Sequence, residues 1–434
     1  MKTQSLLSLS AWLLATLAVP PTAAPQDAQQ RPLPAVHYTV TDLGTLSGGN
    51  FSQPFFINRY GLVSGSSNLA DGTQHATLWL EEMKVDIGAP GLGGPNSIAF
   101  GDNERFQSTG EAETSSPDPK GEDFCGFGTH LTCLPFLWQD GVMIQLPTLG
   151  GNNGAANAIS NRGEVAGFAE NATPDSGCPA PQVLHFEPVV WEKGVIHKLA
   201  TVGGDPDGVA YEINDNGEVA GASGTCTTFN PNFLNNLLAV HALLWENGKA
   251  TDLGNLGGQT GQAGGNAAYS VSNRGEVVGS SDLPGDTTFH AFLWTRKAGM
   301  QDLGTLSGDV ASNSISINDA GSVVGLSLDA SFNPRAFLWE KGVMTDLNTL
   351  IADDSPLYLL TGCSINSRGE ITGLGLTSTG EIHTYLATPT QGVASGESIS
   401  QGAISRRSLS DDGRKQLQQQ LSFSRSGARL MGAQ

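Results

Sequence analysis

The sequence predicts an all-β chain: a seven-bladed β-propeller of four-stranded blades, its ring closed by the N-terminal strand pairing with the last blade. Three observations carry this expectation. Glycine supplies 56 of 434 residues and charged residues only 15%, a balance that favours turns and short strands over long helices. One phrase recurs seven times. The strand that its last copy lacks stands at the opposite end of the chain.

The phrase is clearest from His290 to Trp294 (His-Ala-Phe-Leu-Trp), Gly299 to Gly304 (Gly-Met-Gln-Asp-Leu-Gly) and Ile317 to Gly321 (Ile-Asn-Asp-Ala-Gly). Trp79, Trp138, Trp191, Trp245, Trp294 and Trp339 each close one copy, and Ala387 ends a seventh that begins at His383. Ile-Asn-x-x-Gly, at Ile57, Ile213, Ile317 and Ile365 and varied at Ile159 and Val271, suits a hairpin whose turn ends in a left-handed residue. Glycine fills that site at 61, 163, 217, 275, 321 and 369; the second copy is expected to place Glu104 there. Units of about 44 to 59 residues with strand-length apolar runs fit four-stranded blades better than solenoid coils. The seventh copy stops at Ala387 without an outer strand, and Tyr38 to Gly44 has the missing sequence. Pairing the two would leave no open sheet edge in the ring, so the propeller is expected over 35–388.

The ends differ from this body. Residues 1–24 carry Lys2, an apolar run and small residues ending at Ala24. That pattern reads as a secretory signal too short to span a membrane. Residues 25–34 read as a short linker, and 389–434 as a Ser/Gly/Gln-rich, mildly basic disordered tail. The net charge of −20 repels phosphate backbones and argues against a nucleic-acid partner. No transmembrane segment is expected, and the location is extracellular or periplasmic.

The repeated phrases resemble the HAF family of extracellular repeat proteins, named for the His-Ala-Phe seen at His290, Ala291 and Phe292. The resemblance covers nearly all the chain between signal and tail. It implies location and repeat type, and no particular activity.

Comparison of the copies assigns roles to their polar residues. Four positions before each closing Trp stand His75, Leu134, Glu187, His241, His290 and Arg335, with His383 in register. Eleven or twelve residues later come Asp86, Gln145, Lys198, Asp252, Asp302 and Asp346, and ring closure would bring Asp42 to His383. A circle of His and Asp could ligate metal. Glu187 with Lys198 reverses both signs, however, and Arg335 cannot ligate, so a cross-strand pairing requirement explains the set better. The tryptophans read as packing between blades rather than as sugar platforms. Thr-Leu-Gly-Gly phrases, as at Thr148 to Gly151, read as tight turns rather than phosphate cradles, since no helix or Lys accompanies them.

Nucleophile-elbow, zinc-protease and Cys-x-x-Cys motifs do not occur. No catalytic residue, metal ligand or cofactor is therefore assigned. The one weak exception is a calcium hint at Asp205-Pro206-Asp207-Gly208, whose Gly comes too early for the usual loop.

Function is expected where the copies differ. Between the turn and the closing Trp, copies two, three and four carry insertions of about 16, 10 and 10 residues, all on one face. Cys125, Cys133, Cys178 and Cys226 lie in or beside them, and an exported chain would pair them. Pairings Cys125–Cys133 and Cys178–Cys226 are favoured among three possibilities, with Cys363 left reduced. Candidate contacts on this cap are Asp118, Lys120, Glu122, Asp123, Asp175, Phe229, Asn230, Asn232 and Phe233, which suit a glycan, peptide or cation. The leading expectation is a secreted, non-catalytic propeller binding an extracellular protein or glycan there. One alternative is a polysaccharide-acting hydrolase or lyase using Asp118, Glu122, Asp123 or Asp175. Another is a structural surface or matrix component.

Overall fold

The computed structural model describes residues 37–81, 83–226 and 237–390. The expected signal and linker, the tail from residue 391, and Phe229, Asn230, Asn232 and Phe233 lie outside them. Seven antiparallel sheets follow one another along the chain. Blade 5 shows the pattern: Ala267–Val271, Val277–Asp282, Phe289–Thr295 and Gly299–Asp302 pair in chain order, from innermost to outermost. The first two strands of this blade are wholly buried and the last is half-exposed or exposed, so the inner strands read as apolar and small-residue runs. Among the described residues the only helical element is the single turn Leu347–Leu350, and no helix is long and apolar enough to cross a membrane.

The last blade is completed by the first strand. His37–Asp42 pairs antiparallel with Ile382–Thr390, matching Val40 with Ala387 and Asp42 with Tyr385. Its innermost strand is broken into Tyr358–Leu359 and Ser364–Ile365, both paired with Ile371–Leu376.

The break marks a feature common to all blades. Each of the other six first strands has a register shift just before its final Ile-type position. A bulge re-aims the extra residue, here Phe55, Phe100, Asn157, Tyr211, Tyr269 and Ile315; Cys363 holds the same place in blade 7. Phe55 meets Phe100 edge-on at 4.9 Å and Tyr211 meets Tyr269 at 5.1 Å, within one buried cluster spanning blades 1 to 5. Burial pushes the free Cys363 thiol up to about 11.

The Asn of Ile-Asn-x-x-Gly ties blade to blade. Asn58 donates to Asn103 O, Asn103 to Ser160 O, Asn214 to Ser272 O, Asn318 to Asn366 O, and Asn366 back to Asn58 O, at 2.9–3.1 Å. Blades 3 and 5 have Ser160 and Ser272 instead, and there the next residue takes over. Asn161 and Asn273 each send backbone and side-chain N–H to the carboxylates of Asp215 and Asp319 on the following blade. The tryptophans reinforce the joints: Trp191 donates to Pro147 O and Trp245 to Ala200 O, in the loops preceding their own blades.

Blade 2 corrects the predicted turn. Its left-handed residue is Phe106 (φ 58°), whose N–H reaches Asn103 O, whereas Glu104 occupies the position of Arg59. Asp102 stands where other blades have Ile or Val, which hid the register from the repeat pattern. Phe106 stacks on Tyr60 at 5.9 Å, a contact that helps offset the strain of a bulky residue with positive φ.

Two outcomes test the ring. Asn366→Ala removes the Asn58 bond and orphans the Arg368 and Glu370 N–H groups, so urea unfolding should show a loss of about 1–3 kcal/mol. His383→Asp and Asp42→His should each destabilise, and the double exchange should restore about 0.5–1 kcal/mol of coupling. Strict additivity in that cycle would remove the closure contact.

Candidate functional site

The repeated pairs are local struts. His75 meets Asp86 at 2.8 Å, Lys198 meets Glu187 at 2.6 Å, His290 meets Asp302 at 2.9 Å and Arg335 meets Asp346 at 2.9 Å. Across the closure, His383 Nδ1 meets Asp42 at 2.9 Å. Burial alone would raise Asp42, but the His383 contacts and the Gly44 N–H outweigh it and hold the carboxyl below its usual range. His75 rises through its hydrogen bond to Asp86.

His241 differs from the expectation. Its partner is Asp205 at 2.7 Å, while Asp252 accepts the Gly254 N–H. A bulge opposite Ser223 and Gly224 re-aims this stretch of strand, and Asp205, in the loop entering the blade, reaches both His241 and Ser223. In blade 6 the equivalent loop residue, Asp309, shares Arg335 with Asp346. A loop carboxylate can therefore replace the strand one. The two carboxylates of Asp205-Pro206-Asp207-Gly208 serve different histidines, Asp207 accepting from His185 at 3.0 Å.

The described insertions of blades 2 and 3 cover the face opposite the Ile-Asn turns, with disulfides Cys125–Cys133 and Cys178–Cys226 among them, and the blade 4 insertion, 227–236, lies outside the described residues. The second bridge joins blade 3's insertion to the second strand of blade 4, Val219–Cys226. Phe124 and Cys125 pack onto Phe168, Phe186 and the inner-strand aromatics, so the blade 2 insertion closes over the core.

Most of the predicted carboxylates turn inward. Asp118, 6% exposed, accepts the Lys120 and Glu122 N–H groups with one oxygen and Asn153 Nδ2 with the other. Glu122 reaches across to blade 3, where one oxygen accepts the Val183 and Leu184 N–H groups at 2.6 and 2.9 Å. Asp123 caps Gly128 N with both oxygens. Asp175 accepts Gly177 N and faces His185 at 3.4 Å. Lys120 is exposed at the tip of its turn.

Sequence reasoning missed the residues beneath. Glu170, fully buried, accepts from Asn152 N, Asn153 N, Asn153 Nδ2 and Gln182 Nε2. Burial, then the charge of Glu122, push its carboxyl up to about 8. Glu170 also explains Thr148 to Gly151. A Cβ on Gly151 would lie 2.4 Å from Glu170 Cβ, and the carboxylate takes the loop N–H groups that a phosphate would need. Glu113 holds the corresponding place in blade 2, bonded to Asn96 and Thr129. Beside it Glu111 has no hydrogen-bond partner and is raised well above its ordinary range by burial, then by Glu113. No motif marks these acids; the only signal is a charged residue within a buried strand.

The opposite mouth is an open polar funnel lined by the turn residues Arg59, Glu104, Asn161, Asp215, Asn273 and Asp319 among others.

Neither a family model nor a curated protein matches the sequence. Among solved structures, the chain is similar to the β-propeller domain of the Trilobed protease from Pyrococcus furiosus, at 10% identity over 84% of this chain and 98% of that one, with a TM-score of 0.39. It is similar to Porphyromonas gingivalis dipeptidyl peptidase 4 at 12% identity, 76% and 51% coverage and TM-score 0.38. Aleuria aurantia lectin gives 10%, 84%, 97% and 0.32. Likenesses at this level carry no chemistry across, and the fold stands on the strand pairing above.

The raised acids set a pH dependence. A carboxyl whose folded pKa exceeds its unfolded value holds its proton in the folded state, so its contribution is complete below the unfolded pKa and is lost as pH rises through the folded one. For Glu170 that window runs from its ordinary 4.5 to about 8. Relative to Glu170→Gln, the wild type should lose stability between these pH values, by up to about 1.4 kcal/mol per pH unit. Parallel melting curves for the two proteins would contradict this.

Proposed function

We propose that the chain is an exported, non-catalytic propeller that recognises an extracellular protein or glycan through the insertion face of blades 2 to 4. Two disulfides and the signal-like first 24 residues support export, since such bridges persist in oxidising compartments. The HAF resemblance points the same way.

The observation that carries the binding role is the Glu122 contact. A carboxylate from the blade 2 insertion satisfies two backbone N–H groups of blade 3, next to a disulfide joining blades 3 and 4. The insertions of blades 2 and 3 are thus pinned to one another and to the second strand of blade 4, a pre-organisation that lowers the ordering cost of binding. The buried acids Asp118, Glu122 and Glu170 are occupied by backbone and amide donors, leaving side chains such as Lys120 facing outward.

One observation favours an enzyme. Glu170, pushed up to about 8 beside Glu122, has the mismatched carboxyl environment of a general acid. Both residues are wholly inaccessible, however, and a general acid must reach its substrate. A proton held between Glu122 and Glu170, which ties the blade 2 insertion to the second strand of blade 3, accounts for the pair.

The secreted chain should give a reproducible signal on glycan or peptide arrays. Replacing 227–236 with a short turn, or shortening the 119–122 tip, should weaken that signal at least tenfold. Binding that survives both changes would place recognition elsewhere, and hydrolysis or lysis of an arrayed glycan that Glu170→Gln abolishes would favour the enzyme.

A further inference from the structure

At the junction of blades 3 and 4, Asp175, His185 and Asp207 converge. His185 Nδ1 lies 3.0 Å from Asp207 Oδ1 and 3.4 Å from Asp175 Oδ2, and the three atoms all fall within 4.8 Å of one another. Among the described residues this is the only histidine with two carboxylates converging on one ring nitrogen. His75, His241 and His290 each pair with a single carboxylate, and His383 meets its two through different nitrogens.

None of the three belongs to the repeated strut. Asp207 is also a departure from another repeated joint. At the corresponding contact between blades, Asn96 and Asn153 accept a backbone N–H of the preceding blade, from Gln74 and Cys133, through a side-chain amide oxygen. Asp207 performs this task for Phe186 N at 3.2 Å, where a neutral acceptor suffices. Burying a charge at such a joint is costly unless it is paired, and burial drives Asp207 up to about 6. The hydrogen bond to Phe186 N needs no negative charge; what the charge faces is His185 across the joint.

We propose that Asp175 Oδ2, His185 Nδ1 and Asp207 Oδ1 form a binding site for a divalent transition-metal cation, of which Zn²⁺ is the probe. Zinc–ligand distances of about 2.0–2.2 Å in a tetrahedral site imply ligand-to-ligand edges of about 3.4 Å; the Asp175 contact at His185 has that length, 3.4 Å, and the Asp207 contact, 3.0 Å, needs only a small outward shift. Outer contacts already orient the donors, as metal sites require. Gly177 N holds the other oxygen of Asp175 at 2.7 Å and Cys226 N the other oxygen of Asp207 at 3.2 Å. The Cys178–Cys226 bridge links the segment carrying Asp175 to the strand paired with that of Asp207. One imidazole nitrogen with two carboxylate oxygens selects a transition cation over Ca²⁺ or Mg²⁺, which prefer oxygen-only shells. Three protein ligands leave a position for water or an outside donor, and the His185 side chain is 20% exposed, so the site opens toward solvent.

The test uses the untagged secreted chain, stripped with chelator and kept oxidised. Calorimetry with Zn²⁺ at pH 7 should show one site per chain, and Co²⁺ should give the visible bands of a tetrahedral centre. His185→Gln, Asp175→Asn and Asp207→Asn should each weaken Zn²⁺ binding at least tenfold. Asp207→Asn keeps the joint's hydrogen bond in the form that Asn96 and Asn153 give it in blades 2 and 3, so its melting temperature in chelator certifies the fold. Absence of a saturable site, undiminished binding in His185→Gln and Asp207→Asn, or Ca²⁺ binding as tight as Zn²⁺ would each overturn the proposal.

Discussion

Everything in this molecule depends on the joint between neighbouring blades. An isolated four-stranded sheet of this kind cannot bury its inner strands; it gains a core only when a neighbour covers each face. The turn asparagines show how the joint is made directional. Asn58, Asn103, Asn214, Asn318 and Asn366 each donate to a carbonyl on the next blade, and the last of these bonds returns to the first blade. A circle so built has no terminal blade to fray, provided that the two chain ends are held together. His37–Asp42 does this covalently distant work by donating the outermost strand to the last blade, and the His383–Asp42 contact lies where the two ends meet.

Much of this was legible because a repeat lets a sequence be compared with itself. The orphan strand at Tyr38 was recognisable because its Asp-Leu-Gly matched the ending of the other outer strands, and the polar pairs because Glu187 and Lys198 exchange charge together. What escaped was whatever broke the period. Asp102 replaced the apolar residue that anchors the turn, so the blade 2 register was misread and Glu104 put in the place of Phe106. His241 took its partner from a loop, where spacing carries no register information. The buried acids Glu111, Glu113 and Glu170 sit at ordinary strand positions, and their environment is created by neighbouring insertions remote in sequence. Asn161 and Asn273 stand directly after the turn serines Ser160 and Ser272. Their role needed the ring, because each compensates for a serine beside it by bonding to the next blade.

The buried polar residues of the cap follow from the same constraint. Insertions of ten or more residues on one face bring backbone N–H groups that no strand can satisfy. Glu122 satisfies two where the blade 3 insertion re-enters its strand, at Val183 and Leu184, and Glu170 takes two from the first strand of blade 3, at Asn152 and Asn153, a task suited to a carboxyl group because one oxygen can accept from two donors. The cost appears in the raised pKa of Glu170. Acids that serve as acceptors for backbone donors are not free to act on a substrate, so their abundance under the cap supports scaffolding.

Symmetry separates the two faces. The turn-side mouth is lined by the same short motif from every blade, and its Asn and Asp side chains are largely used in joining blades. A surface whose polar groups are already paired with one another has few left for a partner, and near-sevenfold repetition gives a ligand no unique register. The insertion face breaks the repeat in three consecutive blades, adds two disulfides there, and brings Asp175, His185 and Asp207 together at a joint that an asparagine holds in blades 2 and 3. Departure from the repeat, rather than the repeat itself, is where selection for something other than folding is visible, and in this chain the departures are concentrated on one side of the ring.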